Sequence, residues 1–261
     1  MNYKFCAITD TGRARGNNED SVAIDEDSRV AVLADGMGGY NAGEVASGMA
    51  TAFLKSELSQ WLTESANTIR AKDVRRAMEL FVEKANTAIL GAATANPQYA
   101  GMGTTLVVGV FRDDVLVLGH IGDSRCYRMR AGKFEQITKD HSLLQEQIDA
   151  GLVTPEQAEH STIRNLVTRA LGVEESVLLE VSEYPVEQGD VYLMCSDGLS
   201  DMVNDAGIAK IVSTEVGLED KAQLLIDEAN DNGGRDNVSV LMVEVQAAGE
   251  KRGLIARLLG K

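Results

Sequence analysis

Five aspartates in this chain stand where a strand pattern begins or ends, each beside glycine or a turn. Asp35 follows VAVLA, Asp123 follows VLVLGHIG and Asp197 follows VYLMCS, whereas Asp20 precedes SVAI and Asp236 precedes NVSVLMVEV. In an antiparallel pair the end of one strand lies beside the start of its neighbour. Acids spread from position 20 to position 236 can therefore converge at one edge of a sheet. Carboxylates gathered without partners repel, and some protonate; bound divalent cations remove that cost. An all-oxygen donor set with no His or Cys beside it selects a hard ion, Mg²⁺ or Mn²⁺, over zinc. Any one of these motifs alone reads equally well as a strand-end turn, because Asp and Gly dominate turns. Their repetition is what points to a metal site.

The run RGNNED adds a different element. Arg15 offers a planar fork of donors suited to phosphate, just upstream of two further candidate metal-site acids, Glu19 and Asp20; a surface salt bridge is the plainer alternative. Other phosphate chemistries fail on spacing. Gly132-Lys133 is followed by Phe134 and lacks the upstream glycine of a Walker loop. In the DGMGG loop, Asn41 stands where a third glycine would be needed. The positions six after each cysteine are Gly12, Gly132 and Asp201, not the arginine of a cysteine-nucleophile phosphatase. Asp25 and Asp27 lack the glycine of an EF-hand loop.

The elements that must position these groups are legible from periodicity. Strand patterns run over Tyr3–Thr9, Ser21–Asp25 and Val30–Ala34. A helical pattern follows with Ala42, Val45, Met49, Phe53 or Ala52, Leu58 and Trp61 on one face, then a second with Val74, Ala77, Met78, Phe81, Ala85, Ala88 and Ile89. Thr104–Phe111, Val115–Ile121, Arg125–Arg130 and Lys133–Thr138 are short strands joined by turns too brief for crossover helices, which predicts hairpins and antiparallel pairing. Ser142–Leu171 reads as polar and mostly helical, with Pro155 near a helix start. Val191–Cys195 and Val238–Val245 are strands, with helical stretches at Val203–Ser213 and Leu218–Ala229 between them. The order predicts a layered α+β domain, sheet on sheet with helices outside.

Composition narrows the function. Over 261 residues, 40 acidic and 25 basic side chains give a formal charge of −15, which argues against a nucleic-acid partner but permits an anionic substrate where bound metal inverts the local field. Cys6, Cys126 and Cys195 form neither a disulfide framework nor a zinc pattern and read as buried thiols of a reducing compartment. The first residues, MNYKFCAITDTG, lack the apolar core of a signal peptide, and no apolar run approaches the ~20 residues of a membrane span. A cytoplasmic protein without a transmembrane segment is expected.

Together RGNNED, ADGMGG, GMGTT, GDSR, KDHS, SDGLSD and GGRDNVSV resemble, in order, the metal-dependent protein phosphatases, the type 2C serine/threonine phosphatases. The DGMGG loop and RNLVTRALG look like the bacterial branch. The resemblance implies a four-layer α-β-β-α sandwich of two antiparallel sheets flanked by helices, with the metal site at one end. It implies two tightly bound Mg²⁺ or Mn²⁺ ions and a third, weaker one. By the same resemblance Asp35 bridges two metals and Gly36 offers its carbonyl, Asp197 and Asp236 ligate a metal, and Glu19 and Asp20 act on the site, partly through metal-bound water. Asp123 and Asp201, with Asp197, match the third-metal positions. Arg15 matches the phosphate-binding arginine, and Asn237 matches a motif position of open role. The implied reaction is attack on phosphoserine or phosphothreonine by a water whose pKa the two metals lower. Eukaryotic members carry His where this chain has Met37, which cannot donate a proton. Water on the metals is then the candidate leaving-group acid, with His141 of KDHS a weaker one better suited to a local structural role. His120 and His160 read as structural or exposed.

Residues 1–246 are expected to form the phosphatase domain, with a flap insert at about 142–169 that either contacts substrate or is a surface helical pair. Residues 247–261 are expected to form a short basic amphipathic tail. The expected partners are phosphorylated proteins and a cognate bacterial Ser/Thr kinase, with the chain acting as a monomer. Two alternatives stay open at this point: a phosphatase-fold module that binds phosphorylated partners without turnover, and a hydrolase of small phosphomonoesters.

Overall fold

The computed structural model describes residues 1–39, 42–65, 69–154, 157 and 166–247. Eleven strands among them form two antiparallel sheets. The first contains β1 (Asn2–Asp10), β11 (Val238–Gln246), β10 (Val191–Cys195), β7 (Arg125–Arg130) and β8 (Lys133–Gln136), in that spatial order. The second runs β2 (Asp20–Asp25), β3 (Val30–Met37), β5 (Leu106–Arg112), β6 (Val115–Ile121) and β9 (Glu180–Pro185), with the two-residue β4 (Gly103–Thr104) paired to the end of β3.

Side-chain alternation builds the layers. On β3, Ala31 and Leu33 join Phe5, Phe111, Tyr192, Met194 and Leu241 in an apolar cluster between the sheets. Val30, Val32 and Ala34 of the same strand face the opposite way, onto α1 (Ala42–Glu64) and α2 (Ala71–Ala95). A two-residue period produces this split. On the other side, Leu193, Cys195, Val240 and Met242 pack against α5 (Asp205–Val212) and α6 (Leu218–Asp231), through Ile208, Leu225 and Ala229. The architecture is the four-layer α-β-β-α sandwich expected. Removing one of the fully buried inter-sheet side chains, as in Leu33→Ala, costs about 2–5 kcal/mol.

Four expectations need correction. First, α1 buries Ala42, Ala46, Ala50, Leu54, Leu58 and Leu62, while Val45, Met49, Phe53 and Trp61 are only partly covered. The helix is turned by about one residue, roughly 100°, because its small side chains let it lie close on the sheet. Second, the short link Gly122–Ser124 is not a hairpin: β6 lies in one sheet and β7 in the other. Third, within 142–171 the helical expectation holds only for α3 (Leu143–Asp149) and Gln157 among the described residues. The stretch after position 165 is extended instead, with bridges Ser142–Val167 and Thr104–Leu171. Pro155 and His160 lie outside the described residues. Fourth, periodicity missed β9, a half-exposed edge strand ending in Pro185, and the one-turn helix α4 (Asp197–Ser200).

Candidate metal centre

Antiparallel register brings the first acids together. Asp20 opens β2 directly opposite Asp35 on β3, and the backbone N–H of Gly36 donates to the Glu19 carbonyl at 3.1 Å. A side chain at Gly36 cannot be accommodated, since a Cβ there would lie 2.1 Å from the Gly43 carbonyl oxygen of α1. The first turn of α1 is thereby pressed against the end of β3. Thr104 and Thr105 hold the same strand end from the other side: the Asp35 carbonyl accepts from Thr104 Oγ1 at 2.8 Å and from the Thr105 N–H at 2.9 Å, and the Asp35 N–H donates to Thr105 Oγ1 at 3.0 Å.

The second sheet contributes from β10 and β11. The Ser196 N–H donates to the Ser239 carbonyl at 3.1 Å, so Asp197, at the start of α4, and Asp236, just before β11, stand side by side. Ser196 Oγ crosses between the sheets to donate to Asp20 Oδ2 at 2.7 Å. Asn237 is the splint of the site. Its Oδ1 accepts the Glu19 N–H at 2.8 Å, and its Nδ2 donates to the carbonyls of Thr11 (2.9 Å) and Asn17 (2.8 Å). The RGNNED loop is thus tied to the residue that follows Asp236.

A pocket of about 270 Å³ opens here, lined by Arg15, Glu19, Asp35, Gly36, Asp123, Asp197 and Asp236 together with Met37, Gly38, Thr105, Val167 and Asn237. Seven expected site residues therefore meet in one cavity. Asp20 lies just beneath it, buried. Asp201 does not line it but closes α4, its N–H donating to the Asp197 carbonyl at 2.7 Å; its charge bears on both Asp123 and Asp197. Arg15 Nη2 reaches Asp236 Oδ2 at 2.7 Å, and the Asn237 N–H donates to Asp236 Oδ1 at 2.8 Å. A larger cleft, about 710 Å³, lies near Glu44, Val45 and Pro97–Ala100, and Glu44 is the only acid among its described lining residues.

The electrostatics are those of a site short of positive charge. Burial, opposed in part by the hydroxyl hydrogen bonds, raises the Asp20 carboxyl to about 6. Burial and then the charge of Asp140 raise Asp123 to about 6. Asp35 keeps some surface open to the pocket, yet protein atoms surround its carboxyl; burial and then repulsion from Asp20, Asp197 and Asp123 push it well above the carboxylate range. Asp197 is displaced the same way by burial and then by Asp123, Asp201 and Asp236. Asp20 Oδ1 is buried with no hydrogen-bond partner. Among the described residues no three His, Cys, Asp or Glu side chains are already drawn together tightly enough to hold an ion; the acids line an open pocket. An oxygen-only donor set, an orphaned buried carboxylate oxygen and crowded negative charge all fit hard divalent cations.

Sequence reasoning missed Thr104, Thr105, Ser196 and Ser47, whose Oγ donates to the Glu19 carbonyl at 2.6 Å. Ser47 lies within α1 and the other three at or beside strand ends, and a small hydroxyl in either place carries no distinctive signal of its own. His141 is not among the pocket's described lining residues; its ring is buried and engaged by Gly122 and Glu180.

Residues 12–225 match the family described as Protein phosphatase 2C. The chain is 36% identical over 239 residues to the serine/threonine phosphatase stp of Listeria innocua, covering 90% of this chain and 93% of that protein. It superposes on the crystal structure of the Mycobacterium tuberculosis serine/threonine phosphatase PstP/Ppp with a TM-score of 0.87 at 37% identity, covering 95% of this chain and all of the other. A structure of the PstP catalytic domain in complex with two manganese ions aligns with a TM-score of 0.81 at 37% identity, covering 94% and 99% of the two chains.

Proposed function

The chain belongs to the protein phosphatase 2C family, and from that premise we propose which of its residues perform the reaction and on what. It is a metal-dependent protein serine/threonine phosphatase, and its substrates are phosphorylated proteins. The observation that carries the residue assignment is the convergence of Asp35, Asp123, Asp197 and Asp236 on one pocket with Arg15 at its side.

In this assignment Asp35, with the Gly36 carbonyl, Asp197 and Asp236 hold a pair of Mg²⁺ or Mn²⁺ ions, Glu19 and Asp20 support them, and Asp123, Asp201 and Asp197 hold a third, weaker ion. Bound there, such ions supply Lewis acidity, lowering the pKa of water and offsetting charge on the phosphoryl group. Arg15 binds the phosphoryl oxygens with its guanidinium fork, exchanging its contact with Asp236 Oδ2 for the substrate. Asn237 and Ser196 keep the loop and the two sheet edges in register, so the acids are positioned before substrate arrives. Met37 lines the pocket but offers no proton to the leaving Ser or Thr oxygen.

Removing phosphate from protein serine and threonine presupposes an activity that adds it, which supports a cognate bacterial Ser/Thr kinase as the opposing activity. No helix among the described residues is long and apolar enough to cross a membrane, and Cys126 and Cys195 are buried free thiols. Buried thiols fit a reducing compartment, and the reading proposed is a monomeric enzyme of the cytoplasm with residues 1–246 as its catalytic domain; the tail beyond Ala247 lies outside the described residues. Hydrolysis of p-nitrophenyl phosphate and of phosphopeptides tests the assignment. Activity with Mn²⁺ that EDTA abolishes, and that Asp35→Ala and Asp236→Ala remove while the fold persists, is the expected result. Full activity in either variant overturns it.

A further inference from the structure

The turn that carries Asp123 is tied to two residues distant in sequence: Ser124 Oγ shares a hydrogen bond with Thr105 Oγ1 at 2.8 Å, and Gly122 is held by His141. Gly122 donates its N–H to His141 Nδ1 at 3.2 Å, and its carbonyl accepts the His141 N–H at 2.8 Å. Both backbone polar groups of the residue before Asp123 are therefore satisfied by His141. The turn is tight: Gly122 has φ +101°, and a Cβ there would lie 2.7 Å from the Thr105 side chain.

His141 extends the connection further. Its carbonyl accepts the Thr168 N–H at 2.8 Å, next to Val167, which lines the pocket. Its Nε2 lies 3.2 Å from Glu180 Oε2 on β9 and 3.3 Å from Arg169 Nη1. These contacts select one tautomer. Nδ1 faces an N–H and must be the acceptor, so the proton sits on Nε2 and is donated to Glu180. Arg169, itself a donor only, then lies alongside the ring without bonding to Nε2. The buried His120 ring packs against the His141 ring, centroid to centroid at 4.6 Å, and closes its other side.

We propose that His141 is a positioning residue for the phosphatase reaction: its Nε2–H tautomer, oriented by Glu180, clamps the Gly122 turn to the segment bearing Val167 and so aims the Asp123 carboxyl into the metal pocket. The inference rests on the reading of Asp123 as a metal-site acid. Partners of this kind hold ligands in place although they touch neither metal nor substrate.

Two substitutions separate positioning from packing. His141→Asn places Oδ1 where Nδ1 was and keeps the acceptor for Gly122; His141→Gln places its polar end near the Nε2 position and loses it. The readouts are the Mn²⁺ concentration for half-maximal hydrolysis of p-nitrophenyl phosphate, kcat, and thermal unfolding in EDTA. His141→Gln is expected to raise the Mn²⁺ requirement about tenfold or more and to lower kcat. His141→Asn, which keeps the Gly122 acceptor but loses the Glu180 contact, is expected to shift both no further than Glu180→Ala does, although both variants lose the aromatic ring and comparable stability. Equal Mn²⁺ dependence in the two variants overturns the proposal.

A second pair covers the case in which His141→Gln does not fold. Glu180 is half-exposed, so its replacement does not threaten the core. Glu180→Ala removes the group that orients the ring and is expected to raise the Mn²⁺ requirement by a smaller factor, about threefold. Glu180→Gln keeps an acceptor and restores the wild-type value. If both Glu180 variants match wild type, the proposal fails. A wild-type protein inactive with Mn²⁺ would instead refute the phosphatase assignment itself.

Discussion

Removing divalent ions with EDTA and restoring Mn²⁺ at two pH values, with thermal unfolding as the readout, tests the electrostatic basis of the site. Asp20 and Asp123 are carboxyls raised from 3.8 to about 6, burial being the first cause in both. A raised carboxyl stabilises the fold when protonated, and that contribution is lost as pH rises through about 6. The metal-free protein therefore loses stability from these groups between about pH 4 and 7. Ions that keep them ionised remove the loss, so the stabilisation by Mn²⁺ must grow with pH. At pH 5 a carboxyl titrating near 6 is mostly protonated, and ionising it for an ion costs about 1–2 kcal/mol; at pH 7.5 the cost is close to nothing. Asp20 and Asp123 together make Mn²⁺ binding about 3 kcal/mol less stabilising at pH 5 than at pH 7.5. For a chain of this size that corresponds to roughly 5 °C in Tm, and Asp35 and Asp197, displaced in the same direction, add to it. His120 works in the opposite sense: burial and then the neighbouring His141 push it down to about 3, so it costs stability as pH falls below its unfolded value. It does so with and without metal, and it cancels in the Mn²⁺-minus-EDTA difference. Carboxyls of ordinary pKa would give the same Mn²⁺ shift at both pH values, and that result would refute the crowded-carboxylate account.

Three substitutions probe individual residues. Arg15→Ala is expected to raise KM for a phosphopeptide about tenfold or more, the loss of a charged hydrogen bond worth about 1.5–3 kcal/mol, while the Mn²⁺ requirement holds or falls because Asp236 loses its partner; unchanged steady-state kinetics would remove Arg15 from substrate binding. Asp201→Ala is expected to abolish the weakest Mn²⁺ binding event in calorimetric titration and leave the two tighter ones intact, and loss of all three would overturn the third-site assignment. Asn237→Ala strands the Glu19 N–H and the Thr11 and Asn17 carbonyls, for a loss of about 2–4 kcal/mol and a Tm lowered by several degrees in EDTA; a melting curve identical to wild type would show that Asn237 does not splint the loop.

Much of the layer architecture was written in local patterns. Period-two alternation on Val30–Ala34 and helical periodicity over Val74–Ile89 each identify a face that must be covered, and the structure covers them. Where competing faces existed, local pattern failed. The first helix carries a large-residue stripe and a small-residue stripe side by side, and only contact with the sheet selects Ala46, Ala50 and Leu54 over Val45, Met49 and Phe53. Sheet membership was equally hidden: three residues, Gly122–Ser124, look like any hairpin turn but carry the chain from one sheet to the other.

The site divides along the same line. Chemical type is a property of residues, so the oxygen-only donor set, the strand-end placement of Asp20, Asp35, Asp123, Asp197 and Asp236, and the guanidinium of Arg15 were determined by the sequence alone. Their effective acidity and mutual aim were not. The Asp20 carboxyl sits near 6 because folding buries it, Asp236 faces Arg15 across 221 positions, and Asp123 points where it does because His141, 18 residues later, satisfies both polar groups of Gly122. Desolvation and hydrogen-bond direction are set by neighbours in space, and those exist only once the two sheets have closed on each other.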